Sequence, residues 1–282
     1  MKIVECPRDA MQGLDAFIPT EKKIRYLNEL LKVGFDTIDF GSFVSPKAIP
    51  QMRDTAEVLG QIAFGDTQSK LLAIVANVRG AEEACRHPRI RYVGFPLSIS
   101  ETFQQRNTNK SIAEALNTVH EIHNLCTSTG HELVTYISMA FGNPYHDPYK
   151  VETVLKFADI LATLGIRTIS LADTVGMATP TEVATVFSTI SKELPGIEVG
   201  AHLHSNARSA AEKIKAGLDA GCCRFDSALK GFGGCPMAED RLVGNIATET
   251  LIAVLDERKI DTGLNRQALA NALLLADQTF PA

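Results

Sequence analysis

Short runs of apolar residues alternate along this chain with longer stretches in which apolar positions recur at helical spacing. The short runs are typical of buried strands, and the longer stretches are typical of amphipathic helices. Strands that alternate with helices indicate repeated βα units and a parallel sheet. The pattern predicts eight strands, at residues 3–6, 36–41, 71–76, 91–97, 133–140, 167–172, 197–204 and 224–229.

Eight βα units in a row favour an α/β fold of the (β/α)8, or TIM-barrel, type. A doubly wound open sheet is the alternative, and its first βα turn should carry a glycine-rich phosphate loop. The corresponding turn, residues 6–10, reads C-P-R-D-A and contains no glycine. No linker rich in Pro, Gly or Ser interrupts the chain. We therefore expect one domain, residues 1–282, with its active site at the carboxyl ends of the strands.

Capping signals mark several predicted helices. Residues 111–114 and 179–182 have the spacing of a capping box, in which a hydroxyl residue and a glutamate satisfy each other's backbone N–H groups. Asp147, followed by proline, predicts another helix start. Glycines in left-handed conformation are expected where three helices end before a strand, at Gly34, Gly165 and Gly221.

Composition narrows the class of partner. The net charge of -5 offers no general positive field for nucleic acid or a membrane surface. No stretch approaches the roughly 18 apolar residues of a membrane span, and the N-terminus has no signal-peptide pattern. The cysteines form no C-x-x-C pair or disulfide framework. A reducing, cytoplasmic location is the interpretation we favour.

Two histidines lie at the end of the seventh predicted strand. His202 and His204 share one strand face with Gly200, whereas the apolar residues between them face the other side. Two imidazoles at this spacing can bind one metal ion, or they can be polar strand-end residues in contact with loops and water. Asp9 follows the first strand, which a barrel brings within one strand of the seventh. A carboxylate with two imidazoles suits a divalent ion.

Three further features fall on the same end of the barrel. Arg8 offers a fixed cation for a developing oxyanion, or it forms a surface ion pair with Asp9. Residues 230–236 form a glycine-rich loop with Cys235 near its tip, either a mobile acid–base residue or an incidental cysteine in a phosphate cradle. Asn245 opens the last predicted helix, as a fourth metal ligand or as a simple N-cap.

Taken together, these motifs resemble the 3-hydroxy-3-methylglutaryl-CoA lyases, a family of DRE-type TIM-barrel metallolyases. The similarity extends from about Ile3 to Leu255. The loop motif G-x-G-G-C-P separates these lyases from related synthases. The motifs are R-D at residues 8–9, S-F-V-S-P-K at 42–47, D-T-x-G at 173–176, H-x-H at 202–204, G-x-G-G-C-P at 231–236 and G-N-x-A-T-E at 244–249.

The resemblance implies a role for each matching residue. It implies that Arg8 stabilises an enolate and that Cys235 helps to protonate it. It implies catalytic carboxylates at Asp39 and Asp173 and substrate contacts at Gln12 and Asn107, the latter near the CoA phosphates. The metal ligands that it implies are Asp9, His202, His204 and Asn245.

The implied reaction is a retro-Claisen cleavage of 3-hydroxy-3-methylglutaryl-CoA, or of a close 3-hydroxyacyl-CoA. A divalent ion, Mg²⁺ or Mn²⁺ with Zn²⁺ or Co²⁺ as alternatives, would chelate the 3-hydroxyl and a carboxylate oxygen. Loss of the hydroxyl proton would break the C2–C3 bond and release acetyl-CoA as an enolate, leaving acetoacetate. The resemblance also implies leucine degradation and a homodimer or higher homo-oligomer.

The sequence departs from the family pattern at two places. A glutamate after the second strand is Asp39 here, which is shorter by one methylene. The charged end of the R-D motif is replaced at residues 13–15. Both places lie near the expected substrate, so the sequence does not fix which acyl group the substrate carries. The alternatives are a Claisen-type synthase or aldolase of the same superfamily, which should lack the G-x-G-G-C-P loop, and a metal-binding barrel subunit without catalytic activity.

Overall fold

Eight parallel strands close into a barrel in the computed structural model, which describes residues 1–234 and 243–280. Strands that follow one another in the chain are neighbours in the sheet, and the last pairs with the first. The predicted barrel is therefore confirmed, and the open sheet is excluded. The strands are β1 (Lys2–Glu5), β2 (Thr37–Ser42), β3 (Lys70–Ile74), β4 (Ile90–Ser98), β5 (Glu132–Ser138), β6 (Thr168–Asp173), β7 (Glu198–Leu203) and β8 (Arg224–Ser227).

Helices surround the barrel and cover its outer face. The helices are α1 (Pro7–Gln12), α2 (Thr20–Val33), α3 (Thr55–Gln61), α4 (Val78–Ala84), α5 (Glu101–Thr108), α6 (Ile112–Thr129), α7 (Val151–Thr163), α8 (Pro180–Glu193), α9 (Ala210–Asp219), α10 (Thr248–Glu257) and α11 (Arg266–Thr279). Within the described ranges, none of them has the length and apolar character that crossing a bilayer requires.

Most of the predicted helix boundaries are confirmed. Ser111 and Thr179 are the N-caps of α6 and α8, and both complete the reciprocal capping box. The three glycines have φ values of 87°, 96° and 90°, in the left-handed region that lets the chain leave a helix: Gly34, Gly165 and Gly221.

The predicted helix start at Asp147 is wrong. Helix α7 begins at Val151, with Lys150 at its N-cap. The Asp147 carboxylate instead accepts hydrogen bonds from the Ser100 hydroxyl and from the backbone N–H of Thr102, at 2.5 and 2.9 Å. Asp147 therefore caps α5 from a distant part of the chain, a contact that local sequence cannot reveal.

The strand alternation that places side chains inside or outside the barrel is clear at β7. Val199, Ala201 and Leu203 belong to the apolar layer between strands and helices. Gly200 lies on the other face, where an added Cβ would meet the Arg224 side chain at 3.0 Å. His202 lies on that same inner face and reaches the cavity at the carboxyl end of the barrel.

Glu5 is a buried carboxyl that ties β1 to the segments on either side of the glycine-rich loop. Its two oxygens accept hydrogen bonds from the Leu229 N–H at 2.8 Å and from the Thr248 hydroxyl at 2.6 Å. Burial raises the pKa of Glu5 to about 8, although these two donors act in the opposite direction. The charged form of Glu5 is therefore disfavoured in the folded protein.

We expect Glu5→Gln to remove part of the pH dependence of stability. A carboxyl whose folded pKa lies above its unfolded value destabilises the fold as it ionises, so stability falls as pH rises from about 4.5 to about 8. Each pH unit in this range lowers the free energy of unfolding by about 1.4 kcal/mol. Between about pH 5 and about pH 8.5, urea unfolding should show the wild type losing up to about 4 kcal/mol relative to Glu5→Gln. Parallel pH profiles of the two proteins would contradict this expectation.

Candidate active site

A cavity of about 980 Å³, counted with its open mouth, lies at the carboxyl ends of the strands. One wall is polar and comes from α1, which follows β1, and from the end of β7. The other wall is largely apolar and comes from the segment after β2, the ends of β3 to β6 and helix α5. The residues of the polar wall are Arg8, Asp9, Gln12, His202 and His204.

Asp9, His202 and His204 form a group that can hold a metal ion. One potential ligand atom from each lies within 4.8 Å of the other two, and all three residues are buried. Pairing of β1 with β8 and of β8 with β7 brings them together, as the sequence predicts. A hard carboxylate oxygen and two imidazole nitrogens suit a divalent cation with open positions for substrate.

Both histidines are oriented by a hydrogen bond at Nδ1. In His202 this atom contacts the Asp226 carboxylate at 3.1 Å, and in His204 it contacts the Val243 carbonyl at 2.9 Å. Because both partners accept, each Nδ1 carries the proton and each Nε2 is left for a cation. Cys6 and Asp226 make a second potential ligand group with His202, but only the Asp9 group lines the cavity.

The surroundings of Asp9 and His204 favour the forms of these two side chains that bind a cation. Burial would raise the pKa of Asp9, but Arg8 and the two histidines outweigh burial and lower it. Burial, followed by the charge of His202, lowers the pKa of His204 to about 4. Burial also opposes the charge on His202, but Asp226 raises its pKa above the ordinary value. Near neutral pH, Asp9 is ionised and His204 is neutral, which are the forms that bind metal.

Arg8 is held from two sides on helix α1. Its Nε and Nη2 donate to the Asp39 carboxylate at 3.0 and 2.6 Å, and its Nη1 donates to Asp9 at 2.9 Å. The same Nη1 donates to Gln12 Oε1 at 2.7 Å, and Gln12 Nε2 donates to Asp9 at 2.7 Å. Gln12 lies one turn after Arg8 and Asp9, at the i,i+4 and i,i+3 spacings that bring side chains together, so the short helix builds one fixed cluster.

Asp39 contacts Arg8 directly and so orients its guanidinium. Its side chain is 1% exposed, and burial raises its pKa to about 6 despite the opposing charge of Arg8. Although burial also disfavours the Arg8 cation, Asp39 and Asp9 raise the pKa of Arg8. The shorter carboxylate at position 39 therefore still reaches Arg8 and fixes it beside Asp9.

Asn245 lies in the site, but it is not a helix cap. Helix α10 begins at Thr248 with Ala247 as its N-cap, and α11 follows it, so the N-cap and last-helix interpretations are both wrong. The Asn245 amide nitrogen donates to Asp9 at 2.6 Å and to the Phe232 carbonyl at 2.9 Å. A cation would bind the amide oxygen and not this nitrogen, and ligation by Asn245 stays a prediction.

Glycine is required where the predicted loop approaches this group. Gly233 has φ +98°, and a Cβ on it would lie 2.7 Å from the Asp9 carbonyl and 2.8 Å from the Asn245 amide nitrogen. Gln12 also donates to the Gly234 carbonyl at 3.5 Å. The start of the loop therefore packs directly on the candidate metal ligands. Cys235, the predicted acid–base residue, lies outside the described residues.

Of the two other predicted site residues, Asn107 lines the cavity and Asp173 does not. Asn107 lies at the end of α5. Asp173 is buried, but it does not line the cavity. Its neighbours Ala172 and Thr174 do, so Asp173 faces the outer helices, where its carboxylate pairs with Lys213 at 2.7 Å. Asp173 also accepts the Ala178 N–H at 3.1 Å. A catalytic role for Asp173 stays a prediction, and its contacts favour a positioning role.

Two residues with a part in the site were absent from the sequence-based prediction. Asp226 orients His202 from β8, and Lys213 reaches the site from α9. The alternation of Arg224, Phe225 and Asp226 in a buried strand is the signal that was available for Asp226, because charged residues inside a barrel require partners. A lysine on an amphipathic helix gives no comparable signal.

Comparison with known proteins agrees with this geometry. The HMGL-like family model matches residues 2–275. A hydroxymethylglutaryl-CoA lyase of Bacillus subtilis is 34% identical over 94% of this chain and 88% of its own length. A 3-hydroxy-3-isohexenylglutaryl-CoA/hydroxymethylglutaryl-CoA lyase of Pseudomonas aeruginosa is 33% identical over 96% of this chain and 90% of its own length. The structure of an HMG-CoA lyase from Acinetobacter baumannii, in complex with coenzyme A and 3-methylmalate, has a TM-score of 0.90 at 31% identity, covering 97% of this chain and 88% of that one.

Proposed function

Because the chain belongs to the HMGL-like family, we propose that it is a divalent-metal-dependent carbon–carbon lyase that cleaves 3-hydroxy-3-methylglutaryl-CoA to acetoacetate and acetyl-CoA. The observation that carries the proposal is the buried group of Asp9, His202 and His204 beside Arg8. Relatives with lyase names match nearly the whole chain, including the segment that contains the G-x-G-G-C-P motif.

Asp9, His202 and His204 would hold the cation, with Mg²⁺ or Mn²⁺ favoured by the carboxylate and Zn²⁺ or Co²⁺ as alternatives. The bound ion supplies Lewis-acid chemistry and a template for the substrate oxygens. Asp226 and the Val243 carbonyl accept from the two Nδ1 atoms and would leave both Nε2 atoms for the cation. Asn245 supports Asp9 through its amide.

Arg8 would stabilise the negative charge that the thioester oxygen acquires when the C2–C3 bond breaks. The two electrons of that bond pass to the leaving acetyl-CoA as an enolate, while the 3-hydroxyl carbon becomes a ketone after loss of the hydroxyl proton. A guanidinium that is already fixed by Asp39, Asp9 and Gln12 requires little reorganisation at that moment. Cys235 is proposed to return a proton to the enolate carbon, and Gln12 and Asn107 to contact the acyl-CoA.

The apolar wall of the cavity favours a second substrate of the same type. Val44, Ile49, Ile74 and Phe103 line it opposite the metal-binding group. A 3-hydroxyacyl-CoA with a larger apolar substituent at C3 would bury that substituent against these side chains, at about 0.8 kcal/mol per CH₂ group. The Pseudomonas relative carries such a compound in its name.

The proposal is tested by product analysis. Purified protein with Mg²⁺ or Mn²⁺ and 3-hydroxy-3-methylglutaryl-CoA should yield equal amounts of acetoacetate and acetyl-CoA, and none with excess chelator. Cys235→Ala should lower kcat by about 10²-fold or more, in the range of general acid–base catalysis, while Cys85→Ala serves as a control on a half-buried thiol that does not line the cavity. A homologue with a longer 3-alkyl group, assayed alongside, decides between the two substrates. Absence of cleavage of either ester by metal-loaded protein would contradict the proposal.

We also propose a domain organisation, a location, an oligomeric state and a pathway for the chain. Residues 1–282 would form one domain that acts in the cytoplasm, as a homodimer or higher homo-oligomer, in leucine degradation. Free thiols at the described cysteines support a reducing compartment. Light scattering of the purified protein measures the oligomeric state.

A further inference from the structure

Lys213 is a buried cation that the proposed reaction does not use. It lies in the first turn of α9, and it is only 1% exposed. A positive charge near a helix N-terminus opposes the helix dipole, so this position does not stabilise α9. Burial of a lysine with a carboxylate also gives little net stability compared with an apolar pair. Because stability does not account for a lysine here, the contacts of its ammonium group are the guide to its role.

The ammonium group joins three segments at the carboxyl end of the barrel. Lys213 Nζ donates to Asp173 Oδ2 at 2.7 Å, to the Gly176 carbonyl at 3.1 Å and to the His204 carbonyl at 3.1 Å. Three donor protons thus meet three acceptors. The contacts tie the end of β6, the turn after it and the end of β7 to one atom.

Every polar atom of His204 except the ring Nε2 has a hydrogen-bond partner. Its backbone N–H donates to the Asp173 carbonyl at 3.3 Å, its carbonyl accepts from Lys213, and its ring Nδ1 contacts the Val243 carbonyl at 2.9 Å. Because His204 follows the last residue of β7, its backbone lies outside the regular strand ladder, where an isolated antiparallel bridge to Asn245 and the contact with Lys213 hold it. Nε2 is the one polar atom of His204 that these contacts leave for a ligand.

We propose that Lys213 is a positioning residue that fixes the backbone of His204 and so sets the affinity of the site for its divalent cation. The inference rests on the proposed metal-binding role of His204. Asp173 acts with Lys213, since it carries the balancing charge and also bonds the His204 N–H through its backbone. The pair acts through His204 and does not touch the reacting atoms.

Titration of metal-free protein with Mn²⁺ alone, by calorimetry, tests the inference without any acyl-CoA. Lys213→Met should weaken Mn²⁺ binding by about tenfold or more, the range seen when a partner of a metal ligand is removed. The visible spectrum of the Co²⁺-loaded variant should change as well, because a displaced imidazole alters the ligand field. Lys213→Met/Asp173→Asn, which leaves no unpaired buried charge, should show the same loss of affinity.

Lys23 offers a matched control. It is also a buried lysine, 3% exposed, and it pairs with Asp54 at 2.6 Å and donates to the Gln51 carbonyl, away from the candidate ligands. Lys23→Met should lower the unfolding temperature yet leave the Mn²⁺ affinity within about twofold.

The outcomes separate this inference from the proposed function. Wild-type affinity in Lys213→Met and in the double variant would overturn the positioning role, even if the enzyme cleaves its substrate. An equal loss in Lys23→Met would reduce the effect to general destabilisation and would also overturn it. A selective loss in the Lys213 variants supports the role even if 3-hydroxy-3-methylglutaryl-CoA is not the substrate. If Lys213→Met does not fold, the double variant decides alone.

Discussion

Asp9→Asn should abolish tight metal binding and reduce kcat/KM by roughly 10³-fold or more, because a catalytic cation contributes several kcal/mol of transition-state stabilisation. Asp9 is the one anion among the three candidate ligands, and its pKa is lowered by Arg8 and the two histidines. Asparagine keeps the shape of the side chain, and its oxygen still accepts from Arg8 and Gln12, so the variant loses the charge together with the hydrogen bond from Asn245.

Asp54→Asn provides the matched control for Asp9→Asn. Asp54 is likewise buried and paired with a cation, Lys23, but it lies outside the cavity. The control should lose stability and keep both Mn²⁺ affinity and turnover per folded molecule. If Asp9→Asn retained wild-type affinity for Mn²⁺ by calorimetry, Asp9 would not be a ligand.

Arg8→Gln should lower kcat by about 10²- to 10³-fold, the usual cost of removing a group that stabilises a developing oxyanion. The Mn²⁺ affinity should change far less, because Arg8 binds the ligand Asp9 from the side and is not itself a ligand. Arg8→Lys should rescue little, since one ammonium cannot replace the contacts of the guanidinium to Asp39, Asp9 and Gln12 together.

Arg8→Gln leaves the buried Asp39 carboxylate without its partner, so its control must remove that charge as well. Asp39 is buried and has its pKa raised to about 6 even with Arg8 present. Arg8→Gln/Asp39→Asn removes both charges and should regain stability in urea unfolding without regaining kcat. Recovery of kcat in that double variant would show that Arg8 matters only for folding.

The barrel could be predicted from the sequence because each βα unit carries its own signals. Every predicted strand overlaps an observed one, and the capping boxes at Ser111 and Thr179 are confirmed. The errors occurred where a polar residue has a distant partner. Asp147 caps α5 across 45 residues of chain instead of starting its own helix, and Asn245 bonds Asp9 instead of capping α10.

Within the site, too, neighbouring strand ends could be predicted and distant contacts could not. Asp9, His202 and His204 could be grouped because strand order in a barrel fixes which ends are adjacent. The partners that orient these residues could not be grouped in this way. The sequence marks Asp226 only as a buried charge that requires a partner, and it gives no such mark for Lys213. That Asp226 contacts His202 and that Lys213 contacts the turn after β6 are consequences of how β8 and α9 pack.

Bound metal and turnover should be measured together, because the proposed reaction requires an ion held by Asp9, His202 and His204. Metal-free protein would be titrated with Mn²⁺ while cleavage of 3-hydroxy-3-methylglutaryl-CoA is followed, with His204→Ala alongside. We expect activity to rise in proportion to bound Mn²⁺ and to saturate at one ion per chain, and we expect His204→Ala to show neither tight binding nor activity. Full activity in excess chelator, or one tightly bound ion in His204→Ala with activity retained, would contradict that expectation.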